Sequence, residues 1–169
     1  MNQLENINPL FQSVKDVVLK AKSLAYRSSN TIMLSMYWEV GQLIVEHEQQ
    51  GKSKAIYGNA TLKNLSKSLT LEFGTGFDDS NLRNMRQFFL AFPIRDSVRH
   101  ELSWTHYRMI SRIKNEAKRL QYIELSIDGN WDTRTLQRNI QTQYVGRILS
   151  PEPASEVKPK NIIKDPLYS

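Results

Sequence analysis

Six polar residues near the start of one predicted helix carry side chains that can read nucleic-acid bases. Asn and Gln amides can make paired hydrogen bonds to adenine, and an Arg guanidinium can make them to guanine. These residues are Ser80, Asn81, Arg83, Asn84, Arg86 and Gln87. They fit the reading end of a DNA-binding helix, although a polar face that carries arginine is more often only solvated.

The segment before these residues, "LTLEFGTGFDD", predicts a tight corner between two helices. Leu62, Leu65 and Leu69 repeat at helical spacing, which predicts a first helix over residues 60–73. We expect Gly74 to end this helix in a left-handed conformation, because glycine adopts positive φ without a steric cost. Asp78 is expected to begin the next helix, its carboxylate accepting backbone N–H groups.

The second helix of the corner is expected to end before Pro93, which cannot continue a helix. Phe77 and Leu82 have the spacing of a hydrophobic staple across its start. The residues expected to be buried on it are Leu82, Met85, Phe89 and Phe92. Two helices of this length and punctuation predict a helix-turn-helix-like unit, which needs flanking helices to complete its core.

The flanking sequence predicts an all-α helical bundle. Residues 8–50 read as one long helix or two shorter ones that end at Gly51, and "GKSKAIYGN" reads as a loop. Ser103 and Asp132 are expected to cap two later helices, with a further helix over residues 115–126 between them. The last helix would carry a stripe of Leu136, Ile140, Tyr144 and Ile148. Short strands at "IRDSVR" or "SIDGNW" would make a winged variant of the bundle.

The net charge of +6 is concentrated in one part of the chain. Residues 52–149 carry 16 Lys and Arg against 9 Asp and Glu, whereas residues 1–51 carry 4 against 5. Arg108 and Arg112, and likewise Arg134 and Arg138, are four residues apart and so lie on one face of their helices. We expect these four arginines to contact phosphates of a nucleic acid, the alternative being a solvated protein of basic pI.

The sequence offers no constellation of residues for catalysis or metal binding. There is no cysteine, so a disulfide, a thiolate nucleophile and a Cys-based zinc site are excluded. The three histidines lack metal-ligand spacing, and no phosphate-binding, nucleophile-elbow or zinc-protease motif is present. The N-terminus does not have the pattern of a signal peptide, and no apolar run reaches membrane-spanning length. We therefore expect a non-catalytic cytoplasmic chain without a cofactor of its own.

Four sequence blocks resemble a known family. The blocks are "MYWEVGQLIVEHEQQGKSKAIYG", "LSKSLTLEFGTGFDDSNLRNMRQFFLAFP", "LSWTHYRMISRI" and "NWDTRTLQRNI". In this order they resemble the N-terminal domain of the YhcG-like family of proposed bacterial nucleases, over residues 10–149. The resemblance implies a helical, DNA-binding domain that precedes a PD-(D/E)xK nuclease domain, where Mg²⁺ or Mn²⁺ would bind.

Two functions follow from these expectations. In the first, residues 1–149 form a targeting domain that binds DNA, or alternatively RNA. The proline-rich residues 150–169 would then be a linker that leads into a nuclease domain absent from this sequence. In the second, the domain joins copies of the protein into a homo-oligomer through its N-terminal helices.

Overall fold

Seven α-helices and one short 3-10 helix make up the part of the chain that the structure describes, and this part contains no strand. The structure, a computed structural model, describes residues 3–50 and 54–149, with side chains for residues 19, 20, 22–49 and 61–149. The helices are α1 (Gln3–Gln50), α2 (Lys54–Phe73), α3 (Asp79–Ala91), α4 (Trp104–Ile110), α5 (Glu116–Asp128), α6 (Thr133–Gln141) and α7 (Tyr144–Leu149). The predicted all-α class is confirmed.

The N-terminal region is a single helix of 48 residues, α1, rather than two. Its second half enters the core, where Leu34, Trp38 and Val45 are buried. Residues 22–29 of the same helix are all exposed. The predicted stop at Gly51 lies outside the described residues, as does the predicted linker over residues 150–169.

Helices α1 and α3 pack backbone to backbone at a glycine. A Cβ atom added at Gly41 would lie 2.1 Å from the carbonyl oxygen of Met85, so any larger residue would force the two helices apart. Close by, the indole N–H of Trp38 donates to the carbonyl oxygen of Phe92 over 2.7 Å, beyond the end of α3. The long helix therefore fixes α3 at both its middle and its C-terminal end.

The core has two parts. A small cluster of Ile44, Leu62, Leu82 and Met85 joins α1, α2 and α3. A larger cluster joins α1 and α3 to the later helices. Its most deeply buried members are Leu34, Phe88, Tyr107, Ile110, Leu136 and Val145. The helix-turn-helix-like corner is thus completed by its neighbours, as the sequence indicates.

Helix starts agree closely with their predicted caps. The Ser103 hydroxyl accepts from the backbone N–H of His106, whose ring bonds back to the Ser103 backbone as a capping box. The Asp132 carboxylate accepts from the backbone N–H of Thr135 over 2.7 Å. Asp78 is the N-cap of α3 as predicted, but its carboxylate makes no capping hydrogen bond, so that part of the prediction is wrong.

Two predicted irregular segments are helical or turn-like instead. Helix α2 begins at Lys54, so the predicted loop is wrong over residues 54–59. Gly58 suggested a break, but one glycine costs a helix only about 1 kcal/mol relative to alanine. The segment "IRDSVR" contains a 3-10 helix over Arg95–Ser97, and "SIDGNW" finishes α5 and turns. Neither forms the strand that a wing needs, so the winged variant is wrong within the described residues.

The last predicted helix is broken in two, between α6 and α7. Gln143 adopts a left-handed φ of 53°, which changes the direction of the chain after α6. As a result Val145 is buried, whereas Ile148 is 54% exposed. On α3, similarly, Phe88 is fully buried and Phe89 only partly, because α3 faces both α1 and α4.

Candidate nucleic-acid interface

The corner between α2 and α3 has the conformation that its glycines predict. Gly74 and Gly76 have φ values of 84° and 108°, a region that favours glycine over residues with a side chain. The Ser66 hydroxyl on α2 donates to the carbonyl oxygen of Phe77 over 2.7 Å, which ties the corner back to α2. The start of α3 therefore has a defined position relative to α2.

Asn81 joins the corner to α4. Its amide nitrogen donates to the carbonyl oxygen of Gly76 over 2.7 Å, and its amide oxygen accepts from the indole N–H of Trp104 over 3.1 Å. Both sides of the amide are thus engaged within the protein. Asn81 positions the start of α3 against α4, and it would have to give up these bonds to read a base.

Asn84 and Gln87 lie next to the C-terminal end of α4. The Asn84 side-chain oxygen accepts from the Arg112 guanidinium over 3.2 Å. The Gln87 amide donates to the carbonyl oxygen of Ser111 over 3.1 Å. These contacts bring one face of α3 and one face of α4 together into a single polar surface. We call it the α3–α4 surface, and its residues are Asn81, Asn84, Gln87, Arg108 and Arg112.

The two arginines of α3 have carboxylate neighbours. The Arg83 guanidinium lies 4.0 Å from the Asp79 carboxylate, one turn earlier on the same helix. Arg86 points to α1, where its Nε contacts both carboxylate oxygens of Glu48, at 2.7 and 2.9 Å. Arg86 thus links α3 to α1 and lies away from α4.

Arg108 lies on α4, whereas Arg112 lies in the turn just after it, so the two do not share one helical face as predicted. Neither arginine has a carboxylate neighbour among the described residues. Arg108 donates to the Thr105 hydroxyl over 3.4 Å, and Arg112 to Asn84. Within residues 3–50 and 54–149, no described carboxylate lies within 4.0 Å of either guanidinium. Burial raises the pKa of the Tyr37 hydroxyl, and the positive charge of Arg108 acts in the opposite direction. Arg108 therefore presents uncompensated charge toward α1.

Further basic residues follow directly in the turn between α4 and α5. Residues 108–119 contain five Lys and Arg against one acid, Glu116. Arg119 donates to the carbonyl oxygens of Ile113 and Lys114 over 2.7 and 3.2 Å, which fixes the turn. Lys114 lies in this turn, and Lys118 and Arg119 lie in the first turn of α5. We use the name α4–α5 turn for residues 111–119 as a whole. None of these three basic residues has a carboxylate within 4.0 Å among the residues that the structure describes.

Arg134 and Arg138 lie on α6, exposed to solvent. The backbone N–H of Thr135 lowers the pKa of Asp132, and the charges of both arginines lower it further. Their helix packs against α4. Hydrogen bonds join Asn81, Asn84 and Gln87 of α3 to α4 and the residues just after it, whereas Arg86 contacts α1.

The described residues contain no group of three or more His, Asp or Glu side chains that could hold a metal ion. None of the described helices is long and apolar enough to cross a membrane.

Comparison with known proteins identifies the family. Residues 13–147 match the profile of the DUF1016 N-terminal domain, which is most of the chain. The chain belongs to this family. The family resemblance of the four sequence blocks is thereby confirmed, and the DUF1016 N-terminal domain comprises the corner, the α3–α4 surface and the α4–α5 turn.

One curated relative of this DUF1016 N-terminal domain is the Escherichia coli (strain K12) protein named "Putative nuclease YhcG". The two sequences are 29% identical over an alignment of 204 residues, which covers 92% of this chain and 54% of the relative. The chain therefore spans about half the length of the curated relative that it matches. No solved structure matches the chain.

Sequence reasoning missed the aromatic side chains that adjoin the α3–α4 surface. The ring of Tyr37 on α1 lies 4.4 Å from that of Trp104, with an interplanar angle of 32°. Tyr26, three turns earlier on α1, is 71% exposed. The spacing of Tyr26, Met33 and Tyr37 places them on one face of α1, and this was the available signal.

Proposed function

We propose that this DUF1016 N-terminal domain binds nucleic acid, with DNA as the expected ligand, through the α3–α4 surface and the α4–α5 turn. The observation that carries the proposal is the contrast between two sets of arginines. Arg86, Arg95 and Arg99 each contact a glutamate. The five basic residues of segment 108–119 contact no described carboxylate. Charge left uncompensated over consecutive elements favours a polyanionic ligand.

The proposed roles follow from the positions of the side chains. Arg108, Arg112 and the basic residues of the α4–α5 turn would contact phosphates, which position a protein on nucleic acid without reading its sequence. Arg83, which is exposed, and Asn84, which is half-buried, would lie nearest to bases. Asn81 would contribute indirectly, by orienting α3 against α4.

Three predicted site residues take other places in the proposal. Arg86 would hold α3 against α1 through Glu48. Arg134 and Arg138 would form a second phosphate-contacting region on α6. One nucleic acid could contact both this region and the α3–α4 surface only if it followed the protein surface from α4 to α6.

The relative's name supports a role beside a nuclease. Because the chain spans about half of that protein, we propose that the domain is non-catalytic and directs a nuclease domain to DNA in the bacterial cytoplasm. The metal-dependent step, with Mg²⁺ or Mn²⁺, would belong to that other domain.

Fluorescence anisotropy with a labelled DNA duplex tests the proposal. The double substitution Arg108→Glu plus Arg112→Glu should weaken binding at least a hundredfold at low salt, since it reverses two phosphate contacts. The matched control is Lys20→Glu plus Lys22→Glu, which makes the same change in net charge on exposed positions of α1. Equal losses in both variants, or no binding by the wild type, would reject the proposal.

A second candidate function is self-association through α1. Every described side chain of residues 19–29 is exposed, including Leu19 at 53% and Leu24 at 54%. In the sequence, Ile7, Leu10, Val14, Val17, Ala21 and Leu24 follow the three-four alternation of a coiled-coil seam. A helix with this apolar spacing and with exposed leucines favours a second copy of the same helix as its partner.

A further inference from the structure

A cleft of about 240 Å³ lies between α1 and the start of α4. Its wall on α1 comes from residues spaced three or four apart, and its wall on α4 comes from the first turn of that helix. Six of the lining residues are Tyr26, Met33, Tyr37, Ser103, Trp104 and Thr105. The cleft therefore combines three aromatic rings with hydroxyl groups, beside the α3–α4 surface.

The walls of the cleft are held in place from behind. Trp104 packs against Phe88 edge to face, with ring centroids 5.3 Å apart, and its indole N–H is bonded to Asn81. On the α1 side, the Asn30 amide donates to the carbonyl oxygens of His100 and Leu102 over 3.2 and 3.0 Å. These contacts fix the distance between α1 and the segment that leads into α4, so the cleft is preformed.

Tyr26 differs from the other two aromatic residues of the cleft because it does not pack against the core. Tyr37 and Trp104 stack on one another and pack against the core. Tyr26 is 71% exposed and belongs to neither core cluster. Within the described part of the chain its hydroxyl has no hydrogen-bond partner. An aromatic ring usually contributes to stability by burial, and this one does not.

Positive charge begins at the edge of the cleft. Arg108 donates to Thr105, a lining residue, and its charge reaches Tyr37 on the opposite wall. Arg112 lies just beyond the C-terminal end of α4, where its guanidinium bonds to Asn84. A strand with an aromatic base in the cleft could therefore place phosphates at Arg108 and toward Arg112.

We propose that this cleft binds an unpaired nucleobase, stacked on Tyr26 at its α1 end, with phosphates of the same strand at Arg108 and Arg112. The inference rests on the proposed nucleic-acid function and narrows its ligand to DNA that has a single-stranded end or segment. Stacking of bases on aromatic side chains beside a cationic track is how proteins hold single strands without sequence preference. A fully paired duplex keeps its bases stacked inside and cannot fill the cleft.

The test compares three labelled ligands in anisotropy titrations: a short single strand, a blunt duplex, and the same duplex with a single-stranded overhang. Wild-type protein should bind the overhang duplex more tightly than the blunt one. Tyr26→Ala should weaken binding of the overhang duplex and the single strand by about tenfold, and leave the blunt duplex unchanged, because only stacking is lost. Tyr26→Phe, which keeps the ring, should restore wild-type affinity.

Ile32→Ala is the matched control. Ile32 is 67% exposed, does not line the cleft and lies about 240° from Tyr26 around α1, so its loss should change none of the three affinities. Both substitutions replace exposed side chains, and circular dichroism should show unchanged helix content.

The outcomes separate this inference from the broader function. If Tyr26→Ala leaves the overhang duplex unaffected, or weakens all three ligands equally, the cleft does not bind an unpaired base. The loss of binding in the Arg108 and Arg112 double variant would still support the proposed function. If the wild type binds none of the three ligands at low salt, both proposals are rejected.

Discussion

Arg86 illustrates what the sequence can and cannot say about a single residue. Its type and helix position suggest base reading, but its guanidinium contacts Glu48, which is 38 residues away in the chain. No local pattern reveals that partner, since it depends on how α1 crosses α3. Asn81 is similar, because Trp104 is 23 residues away. The sequence predicts the inventory of polar groups, and the packing decides which of them remain available.

The Arg86–Glu48 pair makes a prediction about stability. Arg86→Ala should lower the free energy of unfolding by about 1 kcal/mol, since the pair is part-buried and makes two charge-assisted contacts. Urea denaturation of Arg86→Ala, Glu48→Ala and the double variant would measure the coupling between the two side chains. If Arg86→Ala weakened DNA binding without changing the stability of the protein, Arg86 would instead contact the ligand directly.

At the scale of the helices, local sequence patterns were enough to predict where most helices begin. Ser103 and Asp132 cap as their sequence contexts predict, because a capping bond involves only neighbouring residues. The long-range features were missed. The break at Gln143 brings Val145 into the larger core cluster, and the sequence has no glycine at position 143 to signal a left-handed turn. Likewise, the sequence did not predict that α2 begins at Lys54, because Gly58 within the helix suggested a break.

The N-caps of α4 and α3 can be compared to measure how much a side-chain capping hydrogen bond stabilises the protein. Ser103→Ala should lower the free energy of unfolding by about 1 kcal/mol, because it removes the oxygen that accepts from the backbone N–H of His106. Asp78→Ala should cost much less, since the Asp78 carboxylate makes no capping bond. Thermal and urea unfolding would check both values. Equal costs would contradict the assigned capping geometry.

The cap of α6 makes a prediction about pH. The backbone N–H of Thr135 lowers the pKa of the Asp132 carboxyl, so this group binds its proton less readily folded than unfolded. Its stabilisation is therefore present at neutral pH and is lost as the pH falls below about 4 and through the folded pKa. Asp132→Asn keeps a capping oxygen that does not titrate. The stability of the wild type relative to this variant should fall on acidification, and a constant difference would contradict the assignment.

At the scale of the whole molecule, two surfaces are available to partners. One is the basic segment 108–119 at the end of α4 and the start of α5, and the other is residues 19–29 of α1, whose described side chains are all exposed. The concentration of charge in residues 52–149 could be predicted from composition. Which of these charges remain unpaired could not be predicted, because it depends on the fold. Arg86, Arg95 and Arg99 pair with glutamates of α1 and α5 and are therefore less available to a ligand.

The exposed part of α1 makes a prediction about assembly. Multi-angle light scattering should give the mass of a dimer for the wild type and of a monomer for Leu24→Glu, since a charge at a seam position opposes helix pairing. Lys22→Glu, on the same helix but off the seam, is the control and should remain dimeric. A monomeric wild type at all concentrations would reject self-association through α1.

The central claim is that segment 108–119 binds nucleic-acid phosphates, and the salt dependence of DNA affinity tests it most directly. About five phosphate contacts predict a slope of the logarithm of the binding constant against the logarithm of salt concentration near −4.5. Removing two contacts with Arg108→Ala plus Arg112→Ala should reduce the size of that slope by about 2. A wild-type slope near zero, or an unchanged slope in the double variant, would contradict the claim.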